Sequence, residues 1–198
     1  MTVNVLPVGK IGTNCYLVRT GDRLYVIDPG AEPEQILAKI RQTGGAAAHN
    51  EILFTHGHAD HIGGAGQLVA ALPIAAVRLN AADRDIYLSP DNCFPPFIPL
   101  AENLPPVQNY VENADFTVLE LPGHSPGSVG LKFGDLLFCG DTIFCTGIGR
   151  TDLPGGNYAA LMASIANKIM PLAPETILYP GHGPETTVKD ERQYHRQL

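Results

Sequence analysis

Residues 55–61 of this 198-residue chain, Thr-His-Gly-His-Ala-Asp-His, place four potential metal ligands within six positions. The stretch follows a short apolar run at residues 51–54 and precedes a segment with helical spacing, so it lies where a strand ends and a helix begins. Neutral imidazoles and carboxylates are ligands of zinc and similar divalent ions, and their crowding inside a protein is costly without a cation. This stretch therefore predicts a metal centre.

The spacing within the stretch predicts which ligands act together. On an extended backbone, His56 and His58 point to the same side because side chains alternate with a period of two, so both can bind one ion. Asp60 and His61 lie where the chain turns into a helix, and they can face a second ion nearby. We therefore expect two neighbouring metal positions.

Three more candidate ligands follow apolar strand-like runs elsewhere in the chain. They are His124 in LPGHSPGS, Asp141 in LLFCGDT and His182 in LYPGHGPE. Each lies just beyond the predicted strand and next to glycine, which is typical of separate loops that converge on one site. A histidine beside glycine is by itself more often a turn or core residue, but together with residues 55–61 these three are predicted to be ligands.

The rest of the chain shows a repeated order of strands followed by helices. Strands are predicted at 3–8, 15–18, 24–27, 51–54, 74–77, 116–121, 129–133, 136–139 and 176–179, and helices at 33–42, 65–72, 81–88, 158–170 and near the C-terminus. Periodicity alone supports only a mixed α/β class, in one domain covering residues 1–198. The proline-rich segment 89–106 is long for a loop, so we interpret it as a candidate lid.

Composition excludes several classes of partner. The formal charge is −7, from 13 basic and 20 acidic residues, so a nucleic acid is not an expected partner. Neither a membrane span nor an N-terminal targeting segment is apparent, which predicts a cytoplasmic protein without a membrane partner. The oligomeric state is left open.

All four cysteines and the two other histidines are predicted to be outside the metal centre. No disulfide is expected, because the four cysteines form no CxxC pair and two of them lie in apolar, strand-like runs. His49 and His195 lie in polar segments, and we expect both side chains to be solvated.

The motifs THGHADH, GHSPGS, CGD and PGHG, in this order, resemble the metallo-β-lactamase fold superfamily, and the resemblance covers nearly the whole chain. It implies a four-layer αββα sandwich. The segments NCYLV, VIDPG, LLFCGDTIF and GIGRTDLPGG are most similar to the hydroxyacylglutathione hydrolase (glyoxalase II) group, in particular its short single-domain members. Full-length glyoxalase II enzymes carry a further helical domain beyond the position of His182, whereas only 198 − 182 = 16 residues follow here. We expect no C-terminal helical domain.

The resemblance assigns roles to the predicted ligands. It places His56, His58 and His124 on a first metal ion and Asp60, His61 and His182 on a second, with Asp141 bridging both. Zinc is the expected ion, and iron or manganese also suits a mixed nitrogen and oxygen site. A hydroxide bridging the two ions is the implied nucleophile, and Asp60 is assigned a catalytic role in orienting it.

Four further positions have alternative interpretations. Asp28, in VIDPG, either orients a ligand or simply ends a strand. Arg150 matches a contact to a glutathione carboxylate in glyoxalase II relatives, but it can equally form a structural pair with Asp152. Cys139 is predicted to be a core residue rather than a ligand, because Asp141 takes the bridging place.

The implied activity is hydrolysis of a small-molecule thioester of the hydroxyacylglutathione type. The main alternative is an iron-dependent glutathione persulfide dioxygenase, whose relatives share GRTD and the same ligand residues but bind a single iron. A β-lactamase is less favoured because Asp141 stands where many of those enzymes use cysteine. The acidic charge disfavours a nuclease, and a purely metal-binding module would need a closed coordination site.

Overall fold

The computed structural model describes residues 1–195, arranged as two compact units that divide after Asn109. That residues 1–198 form a single domain stays a prediction. No helix within the described residues is long and apolar enough to cross a membrane.

The first unit is a five-stranded mixed sheet with helices. Its strands are β1 (Thr2–Val8), β2 (Thr13–Thr20), β3 (Arg23–Ile27), β4 (His49–Leu53) and β5 (Ile74–Arg78), in that order across the sheet. Its helices are α1 (Pro33–Gln42), α2 (Ala59–Ile62), α3 (Ala65–Ala71) and α4 (Arg84–Tyr87), with a 3₁₀ turn at Ala81–Asp83. The strands β1 to β3 are antiparallel, whereas β3, β4 and β5 are parallel.

The helices α1 and α3 cover one face of this sheet. Ile36 and Ile40 of α1 and Leu68 of α3 belong to the same buried cluster as Leu17 and Val26 of the strands. The intervening strand residues are apolar as well and are also buried. Strand residues on both faces of this sheet are therefore buried and apolar.

The second unit has the same kind of architecture. Its sheet has the order β12 (Thr186–Thr187), β11 (Ile177–Pro180), β8 (Leu136–Gly140), β7 (Val129–Phe133) and β6 (Thr117–Glu120). A separate ribbon pairs β9 (Ile143–Phe144) with β10 (Gly147–Ile148), and the helices are α5 (Tyr158–Ser164), its π-helical continuation Ile165–Ile169, and α6 (Val188–Tyr194). The buried side chains of these helices, including Leu161 and Val188, pack in one cluster with Leu137 and Leu178.

Strand direction decides where the predicted ligands lie within each unit. In the first unit, the parallel strands β3, β4 and β5 end at the same edge, and Asp28, the 55–61 stretch and Asp83 follow those ends. In the second, β6 and β8 are both antiparallel to β7, and β11 is parallel to β8, so all three end at one edge. His124, Asp141 and His182 follow these three ends, which is where loops of α/β proteins build their sites.

Candidate metal centre

The four predicted ligands of the first unit lie close together. The imidazole rings of His56 and His58 have centroids 4.8 Å apart, and those of His56 and His61 are 4.1 Å apart. The Nε2 atom of His61 lies 3.2 Å from Oδ2 of Asp60. The clustering predicted from the 55–61 spacing is thus present within this unit.

Asp28 fixes the orientation of one of these ligands. Its buried carboxylate accepts hydrogen bonds from the Thr55 amide (2.8 Å), from the Thr55 hydroxyl (2.6 Å) and from Nδ1 of His61 (2.9 Å). Because the carboxylate only accepts, Nδ1 of His61 carries a proton, which leaves Nε2 as the ring nitrogen that can offer a lone pair to a metal ion. Of the two interpretations of Asp28, the structure supports the orienting role.

The same network orients His56. The Thr55 hydroxyl has a single hydrogen, which it donates to Asp28, so its oxygen accepts from Nδ1 of His56 at 3.0 Å. The Nε2 atom of His56 therefore also presents a lone pair. Thr55 was quoted in the sequence motif, but nothing in the sequence indicated this role.

Asp60 is held by a residue that sequence reasoning missed. The hydroxyl of Thr13, at the start of β2, donates to Oδ2 of Asp60 at 2.9 Å. Thr13 is almost completely buried, so this hydrogen bond fixes the carboxylate in one rotamer. No local pattern connects the two residues, because they lie 47 positions apart.

The backbone of the ligand stretch is held from the segment that follows β5. The Gly57 amide donates to the buried Asp83 carboxylate at 2.8 Å. A side chain at Gly57 would bring its Cβ to 3.0 Å from the Asp83 carbonyl oxygen and 3.2 Å from the Tyr87 nitrogen. Glycine is therefore needed here for the close approach of this segment.

The second unit brings together the other three predicted ligands. Nδ1 of His124 donates to the carbonyl oxygen of Arg150 at 2.8 Å, so Nε2 again presents its lone pair. This Nε2 lies 3.7 Å from Oδ2 of Asp141, and Nε2 of His182 lies 3.6 Å from the same oxygen. The Arg150 carbonyl is a second contact that the sequence did not reveal.

These separations fit a cation better than hydrogen bonds. The distances of 3.6 and 3.7 Å exceed those of hydrogen bonds, and with metal–ligand bonds of about 2.1 Å two ligands of one tetrahedral ion lie roughly 3.4 Å apart. The 3.2 Å between Nε2 of His61 and Oδ2 of Asp60 is also close to the separation of two ligands of one ion. Each of the seven predicted ligands is a His or Asp side chain that can offer one ligand atom to an ion.

Cys139 is a core residue of the second unit. Its buried thiol donates to the carbonyl oxygens of Ile143 and Tyr179, each at 3.5 Å. Burial raises the pKa of the thiol to about 12, as expected of an inert core cysteine. This agrees with the prediction that Cys139 is not a ligand.

Arg150 forms the pair with Asp152 that was its alternative interpretation. Two hydrogen bonds of 2.7 Å join the guanidinium to the carboxylate, and the two side chains are 60% and 69% exposed. The hydrogen bond from Arg150 lowers the pKa of Asp152 to about 2. Since the guanidinium is open to solvent, a contact to substrate stays a prediction.

A cleft of about 560 Å³ lies within the first unit beside Asp60 and Thr13. The β1–β2 turn at Lys10 forms one wall, and residues 96–103 form another. The Lys10 ammonium donates to the Pro96 carbonyl oxygen at 2.9 Å and so links the two walls. The volume of the cleft is typical of a small-molecule site.

Comparison with known proteins identifies the family. The model of the metallo-beta-lactamase superfamily matches residues 8–182. The chain belongs to the metallo-β-lactamase superfamily. The predicted fold class, a metallo-β-lactamase fold of mixed sheets flanked by helices, is therefore confirmed.

Similar proteins carry different names within this superfamily. Hydroxyacylglutathione hydrolase GloC of Haemophilus influenzae is 32% identical over 98% of this chain and 96% of its own length. The crystal structure of TTHA1623 in a di-iron-bound form has a TM-score of 0.85 at 37% identity, covering 98% of this chain and all of that one. ETHE1 from Myxococcus xanthus has a TM-score of 0.74 at 26% identity, covering 98% and 83%. This chain is thus a metallo-hydrolase of the superfamily.

The role of Asp28 in this metallo-β-lactamase fold gives a first prediction. We expect Asp28→Asn to weaken the binding of a divalent metal ion about 10- to 100-fold, because an amide nitrogen cannot accept the hydrogen bonds that Oδ2 of Asp28 accepts from Thr55 and His61. Lost hydrogen bonds of buried groups should also reduce the free energy of unfolding by about 2 kcal/mol. Chelator competition and urea unfolding measure the two effects. Metal affinity equal to that of the parent would show that Asp28 only ends β3.

Proposed function

We propose that this chain is a metal-dependent thioester hydrolase of the hydroxyacylglutathione hydrolase type. The observation that carries the proposal is the set of oriented imidazoles: His56, His61 and His124 each present Nε2 because Nδ1 is hydrogen-bonded to an oxygen. The similarity to GloC over nearly the full length of both chains supports the thioester as substrate.

The residues of this chain fit two divalent cations. Following the family pattern, His56, His58 and His124 would hold one ion, Asp60, His61 and His182 the other, and Asp141 both. Such cations supply Lewis acidity and lower the pKa of water at the site to about 7. Zinc is our preferred ion, and this mixed nitrogen and oxygen donor set also suits iron or manganese.

The protein's own groups position the reactants. Hydrolysis forms a bond between the water oxygen and the acyl carbon, breaks the C–S bond, and transfers the water proton to the departing thiolate. Asp60 accepts a hydrogen bond from the attacking water and so directs a lone pair at the carbonyl. Thr13 keeps Asp60 in that orientation. The cleft beside Asp60 has room for part of a small thioester.

A second function has specific support. The similarity to ETHE1 fits an iron-dependent persulfide dioxygenase, and the di-iron-bound form of TTHA1623 supports iron as the ion. The histidine and aspartate ligands of such a dioxygenase could come from the same set of side chains, so metal content and turnover are the measurements that separate the two activities.

Metal content and turnover together test the proposal. Protein prepared without added metal is assayed for bound zinc, iron and manganese, for hydrolysis of S-lactoylglutathione, and for oxygen uptake with glutathione persulfide. Two metal ions per chain with hydrolysis support the thioester hydrolase. One iron per chain and oxygen uptake without hydrolysis overturn it in favour of the dioxygenase.

We also propose that Arg150 binds a carboxylate of the substrate, as its counterpart does in glyoxalase II relatives. Arg150→Ala should then raise KM for S-lactoylglutathione about 10-fold and leave kcat nearly unchanged, because the lost contact is the same in the ground and transition states. The melting temperature should not change, because exposed ion pairs contribute little to stability.

Asp152→Asn is the matched variant for Arg150, since it removes the carboxylate of the pair and keeps the guanidinium. We expect KM to stay at or below the parent value, because Arg150 is then available to the substrate. An unchanged KM in Arg150→Ala would show that the guanidinium only pairs with Asp152.

We propose a cytoplasmic location, in which the four cysteines, free in this structure, would stay reduced.

A further inference from the structure

The backbone from His56 to His58 lies between strand β4 and helix α2. β4 ends at Leu53 and α2 begins at Ala59, so the polar groups on either side of His58 must be satisfied by other means. The Gly57 amide uses Asp83. The His58 carbonyl accepts from the His61 amide at 3.0 Å. The Gly57 carbonyl and the Ala59 amide, which flank His58 directly, bond elsewhere.

A single side chain satisfies both of these groups. Nδ2 of Asn92 donates to the Gly57 carbonyl oxygen at 2.9 Å, and Oδ1 of Asn92 accepts from the Ala59 amide at 3.0 Å. One amide plane therefore fixes the peptide groups on both sides of His58. An asparagine matches this pair because it offers one donor and one acceptor on the same planar group.

Asn92 belongs to the 89–106 loop that the sequence marked as a candidate lid. The two ends of this loop are held: Asn92 bonds to the ligand stretch, and the Tyr87 hydroxyl donates to the Pro105 carbonyl oxygen at 2.7 Å. Between these points, Phe94 and Phe97 are 63% and 50% exposed, with ring centroids 6.1 Å apart. The start of the loop is thus part of the support of the ligand stretch.

We propose that Asn92 is a positioning residue for the metal ligand His58. The inference rests on the proposed function, since it takes His58 to be a ligand. With both neighbouring peptide planes fixed, the Cα–Cβ direction of His58 is fixed too, and the imidazole reaches its ion with few alternative rotamers. Groups that orient ligands in this way typically contribute 10- to 100-fold to metal affinity.

Asn92→Ala tests this role, with Asp91→Ala as the matched control. Asp91 is the preceding, exposed residue of the same loop, so its replacement leaves the two hydrogen bonds in place. Zinc affinity is measured by chelator competition. The cobalt-substituted protein is compared by its visible absorption spectrum, which reports ligand geometry. Urea unfolding of the metal-free protein reports stability without the metal.

We expect Asn92→Ala to weaken one of two zinc equivalents about 10- to 100-fold and to alter the cobalt spectrum. Asp91→Ala should match the parent. The free energy of unfolding of the metal-free chain should change much less than the free energy of metal binding. If Asn92→Ala does not fold, Asn92→Asp is measured instead; it keeps the acceptor for Ala59 and loses the donor, and it should weaken the same equivalent.

The results distinguish the role of Asn92 from the proposed function on which it rests. Zinc affinity and a cobalt spectrum equal to those of the parent overturn the role of Asn92 and leave the hydrolase proposal standing. The role of Asn92 is also overturned if the free energy of unfolding of the metal-free protein falls by as much as the free energy of metal binding. The residue would then be only structural. A parent chain that binds no divalent metal overturns the proposed function itself.

Discussion

Asp60→Asn is expected to reduce kcat/KM for S-lactoylglutathione on the order of 10³-fold, even at saturating zinc. Asparagine has the same shape, so the Thr13 hydroxyl still finds an acceptor oxygen and the metal-free fold should be retained. The amide has lost the negative charge that binds a cation, and one of its two terminal atoms is now a donor. Both the second metal ion and the orientation of the attacking water are therefore affected.

Two comparisons separate these effects of Asp60. Metal analysis of Asp60→Asn at several zinc concentrations shows whether the second equivalent can be restored. Asp60→Ala, which removes the acceptor entirely, should be no more active than Asp60→Asn and should unfold at a similar urea concentration without metal. Turnover within a few-fold of the parent in either variant would contradict the assigned role.

Thr13 offers a graded test of the same carboxylate. Thr13→Ser keeps the hydroxyl that donates to Asp60 at 2.9 Å, so its turnover should be close to that of the parent. Thr13→Val keeps the shape and removes the donor, and we expect roughly a 10-fold loss in kcat. Equal activity of Thr13→Ser and Thr13→Val would show that Thr13 only fills space.

Local sequence patterns were sufficient for most of the scaffold around these residues. Helix α1 was predicted at 33–42 and occupies those residues, because proline lies at its first position and two glycines follow its end. The ligand stretch lies after β4 and runs into α2, as predicted from the apolar run that precedes it. Elements with a strong period and clear ends are predictable because the signal is contained within them.

Short or irregular elements were not predictable. β9, β10 and β12 contain two residues each, which is too few to show a period. The helix predicted at 158–170 is α-helical only to Ser164 and continues as a π-helix, a change without a known local sequence signal. The prediction for His195 was wrong: its side chain is 13% exposed and its Nε2 lies 3.3 Å from Oε2 of the buried Glu191.

The supporting contacts of the candidate site escaped the sequence for a different reason. Thr13, Asp83 and Asn92 are common residue types in loops or at strand ends, and each acts on a ligand segment 26 or more positions away. Only the fold reveals such pairs. Arg150 is a special case, because its side chain was singled out whereas its carbonyl oxygen orients His124. Predicted ligands thus came from motifs, and their positioning came from topology.

Gly149→Ala is expected to destabilise the second unit by about 4 kcal/mol. A Cβ at this position would lie 1.7 Å from the carbonyl oxygen of Asp141 and 3.5 Å from Cβ of His124. The first contact is with backbone, which cannot rotate away, so the chain must shift next to a predicted ligand. We therefore expect Gly149→Ala to lose bound metal and to unfold at a lower urea midpoint.

Gly147→Ala, in the β9–β10 ribbon two residues before Gly149, is the matched control. Its Cβ would find Phe144 at 3.8 Å as its nearest neighbour, an ordinary van der Waals contact. Gly147→Ala should therefore keep parental metal content, turnover and unfolding midpoint. Because both variants add one methyl group within three residues of chain, a difference between them isolates the close approach of Gly149 to Asp141. Equal free energies of unfolding for the two variants would mean that the Asp141 loop can shift without destabilising the protein. The position of this ligand would then not be fixed by packing.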